Sequence, residues 1–146
     1  MATTAYEKDV ILWSQQQAAL LRSGEFSQLD IEHLADEIED VGKSEKRELA
    51  NRMAKLLAHL LKWQYQPERR GRSWQTTIRN QRNSLKIALK ITPSLKAAMR
   101  EKDWQTLVWA DAVDQALKET GLDADFGEAC PWTNEQILSA GWLPEA

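Results

Sequence analysis

The sequence predicts an all-α fold: a single-domain helical bundle of five to seven helices over residues 1–146, with a central antiparallel helix pair. Three observations carry this. Apolar residues recur at three- and four-residue steps along most of the chain. Capping residues precede these runs, and Gly or Pro follows them. No stretch alternates apolar and polar residues between hairpin turns, as a half-buried strand would.

The first helix is expected from Thr4 to Ser23, with Tyr6, Val10, Trp13, Gln17 and Leu20 or Leu21 on one face and Gly24 as its C-cap. Glu25 to Gln28 reads as a turn. A second helix starts near Asp30, which can cap it, and buries Ile31, Leu34, Ala35, Ile38 and Val41. Its other side carries Glu32, Asp36, Glu39 and Asp40, while Glu37 falls on the shoulder of the apolar stripe. Gly42-Lys43-Ser44 is short enough for a helical hairpin, with a kinked continuous helix as the alternative. The third helix, Glu45 to Gln66, has a broad stripe of Leu49, Met53, Leu56, Leu57, Leu60, Leu61 and Trp63, with His59 on its edge. Pro67 ends it.

Glu68 to Ser73 is a turn, and Ser73 can cap a fourth helix bearing Trp74, Ile78, Gln81, Leu85 and Ala88 on one face. Gln81 there needs hydrogen-bond partners, since an unsatisfied buried polar group costs about 1–3 kcal/mol. Thr92-Pro93 opens a short helix with Leu95, Ala98 and Met99. Asp103 can cap the next, which ends at Gly121. Leu122 to Cys130 is a loop. Thr133 and Gln136 form a capping box for a last brief helix, after which Trp142 and Leu143 dock on the body.

Composition narrows the function classes. A chain of 146 residues, 42% apolar, can bury a core without disulfides. Cys130 is alone, which points to a reducing cytoplasm. MATTAYEKDVILW lacks a signal-peptide pattern, and no apolar stretch is long enough to span a bilayer. A net charge of -3 argues against nucleic acid as a partner. The seven Trp read as core, with an exposed aromatic site as the alternative.

Charge is unevenly placed. Glu25 to Asp40 holds seven acids and no Lys or Arg, whereas Glu68 to Asn83 holds Arg69, Arg70, Arg72, Arg79 and Arg82 with one acid. Three readings follow. An arginine clamps Glu37 with two parallel bonds, both blocks are solvated faces, or the arginines form a site. As a site, they would bind phosphate beside Trp63 or Trp74, or better a small anion or protein carboxylate. The candidate polar cluster is thus Glu37, His59, Arg69, Arg70, Arg79, Arg82, Trp63 and Trp74. His33 and Glu37, four apart, are a possible ligand pair, but the Glu-x-x-His, His-Glu-x-x-His and paired-Cys patterns are all lacking. No metal or cofactor is expected. Neither a Gly-x-Ser-x-Gly elbow nor a phosphate loop is present.

The series LADEIEDVGKSEKREL, LLAHLLKWQYQPERRGRSW and CPWTNEQILSAGWLP, with the opening YEKDVILWSQQQAALLRSGEF, resembles the bacterial domain-of-unknown-function 29 family, common in cyanobacteria and proteobacteria. The likeness runs from about Thr4 to Pro144. It implies a mostly helical single domain and carries over no catalytic residue. The expected function is a non-enzymatic interaction module binding a protein or small acidic ligand through the Arg-rich turn. The alternative is an enzyme or nucleic-acid-processing domain using Glu37, His59 and nearby Arg side chains.

Overall fold

The computed structural model describes residues 5–145; Thr4, the expected start of the first helix, lies outside them. Among the described residues the regular structure is entirely helical. Six α-helices run in order: α1 Val10–Ser23, α2 Ile31–Tyr65, α3 Arg72–Ile91, α4 Leu95–Arg100, α5 Lys102–Thr120 and α6 Asn134–Leu138. Short 3-10 turns at Phe26–Gln28 and Pro67–Arg69 lead into α2 and α3.

The expected central hairpin is not formed. The second and third predicted helices are one helix of 35 residues, α2, which passes through Gly42. Gly42 is not among the glycines with positive φ, so it keeps an ordinary helical backbone. A glycine inside a helix costs about 1 kcal/mol relative to alanine. Glu39, Lys43, Glu45 and Lys46 around it are good helix formers, and the hydrogen bonds of an unbroken helix outweigh that cost. Helix ends follow the expected chemistry more closely. Gly24 and Gly121 close α1 and α5 in the left-handed conformation, at φ 76° and 68°. Thr133 and Gln136 form the full capping box of α6. The N-caps of three helices shift, from Ser73 to Gly71 for α3, from Thr92 to Ser94 for α4 and from Asp103 to Glu101 for α5, and α1 starts only after Asp9, which caps it.

The chain divides into two compact units, Met1–Ser44 and Glu45–Ala146, with the boundary inside α2. The second unit contains the hydrophobic core. Leu49, Met53, Leu56, Leu57, Leu60 and Leu61 of α2 meet Ile78 and Leu85 of α3, Val108 and Trp109 of α5, and Ile137 of α6. Leu56, Leu60 and Leu85 are wholly excluded from solvent. The leucine stripe is broad because α2 is surrounded by several partners there.

The first unit has little interior. Trp13 and Gln17 of α1 are its buried side chains. Ile11, Ile31, Ile38 and Val41 are 70%, 69%, 72% and 66% exposed. The apolar stripe expected to bury the start of α2 is therefore present in the sequence and open in the fold. No helix among the described residues is long and apolar enough to cross a membrane.

Candidate functional site

The sequence-derived cluster separates between the two units. Glu37 belongs to the first. Its Oε1 accepts a hydrogen bond from the Tyr6 hydroxyl, and this contact pushes the phenol up to about 12. Around it the unit builds a closed polar-aromatic network. Tyr6 stacks on His33 at 4.3 Å between ring centres and meets Trp13 edge-on at 4.9 Å. Trp13 Nε1 donates to Asp30 Oδ2 at 3.0 Å, and the Asp30 amide donates to Gln17 Oε1 at 2.8 Å. His33 Nδ1 lies 2.7 Å from Asp30 Oδ2, and Nε2 lies 3.2 Å from Glu7 Oε1. A carboxylate can only accept, so Nδ1 donates to Asp30, and Nε2 pairs with Glu7 when the ring is protonated. The hydrogen bond to Asp30 raises the imidazole above its usual range, and the same bond lowers the Asp30 carboxyl. Gln17 Nε2 is buried without a partner among the described residues, while the other groups engage one another, so the network serves as a latch between residues 6–17 and the start of α2.

His59, Trp63, Trp74 and the arginines belong to the second unit. His59 Nδ1 lies 2.8 Å from the Lys55 carbonyl oxygen, and therefore carries the ring proton as a donor. Burial first, then the positive charges of Lys62 and Lys55, lower its pKa. Arg70 donates through Nε to the Trp63 carbonyl at 2.7 Å, and its guanidinium lies over the Trp63 ring at 5.1 Å. Lys62 sits 5.9 Å over the Trp74 ring and pairs with Glu119. Arg69 and Arg72 are exposed on the turn. The turn thus holds one arginine by its neighbours and leaves two in solvent.

Arg79 and Arg82 are brought together on α3, and here the structure departs from the expected carboxylate clamp. Arg82 is only 4% exposed, yet its partners are backbone carbonyls. Nε donates to Ile137 O at 2.7 Å and a terminal nitrogen donates to Trp142 O. These bonds fasten α3 to α6 and to the segment after it. Burial alone lowers the Arg82 pKa, with no carboxylate acting in the other direction. Arg82 lands inside because of its position. At about 100° per residue it falls between the core stripe of Ile78, Leu85 and Leu89 and a second stripe of Gln75, Arg79 and Lys86.

That second stripe lines a groove of about 410 Å³. It is lined by Gln75, Ile78, Arg79, Arg82, Asn83 and Lys86 of α3 and by Ala140, Gly141 and Leu143. The lining includes three cations and two amides and no acid. Arg79 and Lys86 have no ion pair among the described residues. Lys86 escaped the sequence reading, although its spacing was visible: seven residues after Arg79 and four after Arg82 puts all three on one side of a helix.

A second cavity, about 290 Å³, is lined by Met53, Leu57, Trp104, Trp109, Trp132 and Ile137 among others. Trp109 Nε1 donates to Gly127 O at 3.0 Å, while Trp104 Nε1 is buried without a partner among the described residues. Gln81 Oε1 is likewise buried and unpartnered, so the hydrogen bonds expected of that residue are incomplete. Cys130 borders this cavity and donates weakly to Trp132 O at 3.5 Å. Burial pushes its thiol up, away from the nucleophilic thiolate form. No group of three or more acidic, His or Cys side chains placed to hold a metal occurs among the described residues.

Fold and groove together define an all-helical protein with a cation-lined groove on α3. The chain belongs to the family described as domain of unknown function DUF29, whose model matches residues 5–143. It is similar to an alpha-helical protein of unknown function from Rhodospirillum rubrum, known from a crystal structure. The two are 28% identical with a TM-score of 0.61, over 97% of this chain and 93% of the other. Among curated proteins, none matches.

Proposed function

We propose that this protein is a non-enzymatic interaction module that binds an acidic protein segment in the α3 groove. One observation carries the reading. Arg82 is a buried cation without a counter-ion, in a groove that adds Arg79 and Lys86 and contains no acid. A buried charge is costly unless paired, and two carbonyl dipoles compensate it only in part. A carboxylate entering the groove lowers that cost by bringing negative charge near the buried guanidinium. At 4% exposure Arg82 acts through its field, while Arg79 and Lys86 make the contacts.

Spacing narrows the ligand. Arg79 and Lys86 are two turns apart, about 10 Å along the helix. A peptide in the polyproline II conformation rises about 3.1 Å per residue with three residues per turn, so two acids three residues apart share one face about 9 Å apart and match both cations. Ile78 and Leu143 provide apolar wall for what lies between. The site therefore shifts from the turn, where it was expected, to the helix that follows. The enzymatic alternative gains no support from the bonds of Glu37 and His59, which are taken by Tyr6 and the Lys55 carbonyl.

The test is calorimetric titration with a capped peptide containing Glu-Ala-Ala-Glu, and with its Gln-Ala-Ala-Gln counterpart. Only the acidic peptide should bind, more weakly as salt rises. Arg79→Ala with Lys86→Ala should lower its affinity about tenfold or more. Equal binding of the two peptides, or an unchanged affinity in the double variant, contradicts the proposal.

A further inference from the structure

The α3 groove does not use the first unit, whose surface is opposite in charge and unusually apolar. Residues 1–44 hold nine carboxylates against three cations, a net charge of -6. On α2, Ile31, Leu34, Ile38 and Val41 follow one another at three- and four-residue steps and form one stripe. Leu34 and Glu37 border a groove of about 350 Å³ whose other wall is α1, through Val10, Trp13, Gln17 and Leu21. Ile38 and Val41 extend the stripe beyond the groove and are almost fully exposed. Contiguous apolar surface of this kind, rimmed by charge, marks a docking site. At about 100° per residue Glu37 flanks the stripe on one side and Glu32 and Glu39 on the other.

We infer that this groove docks a basic amphipathic helix of a partner protein. Two helices with an open apolar channel between them present the seat for a third, read by anchors at i, i+3, i+4 and i+7. The 14 residues of α1 give the channel a length of about 21 Å, enough for four turns of the incoming helix. The acidic rim selects Lys and Arg beside those anchors. A second copy of the chain fits less well. Face-to-face pairing sets two surfaces of charge -6 against each other, and head-to-tail pairing leaves open ends. An anionic lipid surface is repelled by the same carboxylates. This inference does not depend on the α3 groove.

The probe is a Lys/Leu peptide of about 18 residues, five helical turns, with leucines at the anchor spacing. A scrambled peptide of the same composition is the control. The ordered peptide should bind the full chain and gain helicity by circular dichroism, and the scrambled one should bind at least about tenfold more weakly. Ile38→Ser with Val41→Ser should weaken binding by about tenfold or more. The melting temperature should hold, because both side chains are exposed. Ile87→Ser with Ile91→Ser, equally exposed in the second unit, should leave binding unchanged. The inference is overturned if the ordered peptide does not bind, if the scrambled one binds as well, or if the Ile38/Val41 variant binds like the parent chain. It is also overturned if sedimentation shows a dimer that this variant dissociates, because the occupant is then a second copy.

Discussion

The units 1–44 and 45–146 differ in what holds them together. The second packs leucines from α2 against side chains of α3, α5 and α6, and its own net charge is +3. The first, at -6, buries Trp13 and Gln17 among the described residues, leaves five β-branched side chains of α1 and α2 in water, and is held by hydrogen bonds and ring stacking. One long helix runs through both. The same periodicity that builds a core after Glu45 builds an open face before it. An apolar stripe thus states which side of a helix seeks a partner and leaves open whether the chain supplies one.

The largest effect should separate the units directly. Leu56→Ala removes a fully excluded side chain and should cost about 2–5 kcal/mol. Ile38→Ala, at 72% exposure, should stay within about 0.5 kcal/mol of the parent in urea denaturation. Equal losses would mean that the first unit has an interior after all. Arg82→Ala should come next. It abandons the Ile137 and Trp142 carbonyls inside the second unit and should cost about 2–4 kcal/mol. The melting temperature should fall by roughly 5–15 °C. Amide exchange should rise first in residues 137–143, the segment that this arginine fastens.

How much of this was legible beforehand follows from the physics of each feature. Gly24, Gly121 and the Thr133–Gln136 box are local events, settled by residues within one turn, and all three occur as read. Gly42 was ambiguous because its effect is small against the helix formers around it. The roles of Arg82 and Glu37 depended on distant chain. Nothing near Arg82 in sequence identifies carbonyls 55 and 60 residues away as its acceptors. Nothing near Glu37 identifies Tyr6 as its donor. Lys86 is different: its helical spacing from Arg79 and Arg82 is legible in the sequence, but the denser arginines of the turn dominate the local charge pattern.

Two smaller effects sharpen the contrast. Gly42→Ala meets no neighbour within 4 Å and removes a helix-interior glycine, so it should stabilise by about 1 kcal/mol. A loss instead would show that the helix needs flexibility at the unit boundary. Both units should respond to pH, but oppositely near neutrality: in the second, His59 has a pKa lowered by burial, so stability falls as pH drops below the ordinary value of 6.5. His33 has a raised pKa, so its stabilisation is complete below the ordinary value of 6.5 and is lost as pH rises through the folded value. Asp30 has a lowered pKa, so its stabilisation is present above 3.8 and is lost as pH falls through the folded value. Protection factors of α1 amides should therefore be highest between those limits. In His33→Gln the decline on the alkaline side should vanish.

The division of labour between the units is tested most directly by one amide spectrum read with two peptides. The full chain, labelled with nitrogen-15, is titrated with the Glu-Ala-Ala-Glu peptide and separately with the ordered Lys/Leu peptide. The acidic peptide should move amides of residues 75–86 and 140–143 and leave 10–41 in place; the basic peptide should do the reverse. Shifts of the same residues by both peptides, or by neither, would contradict the account.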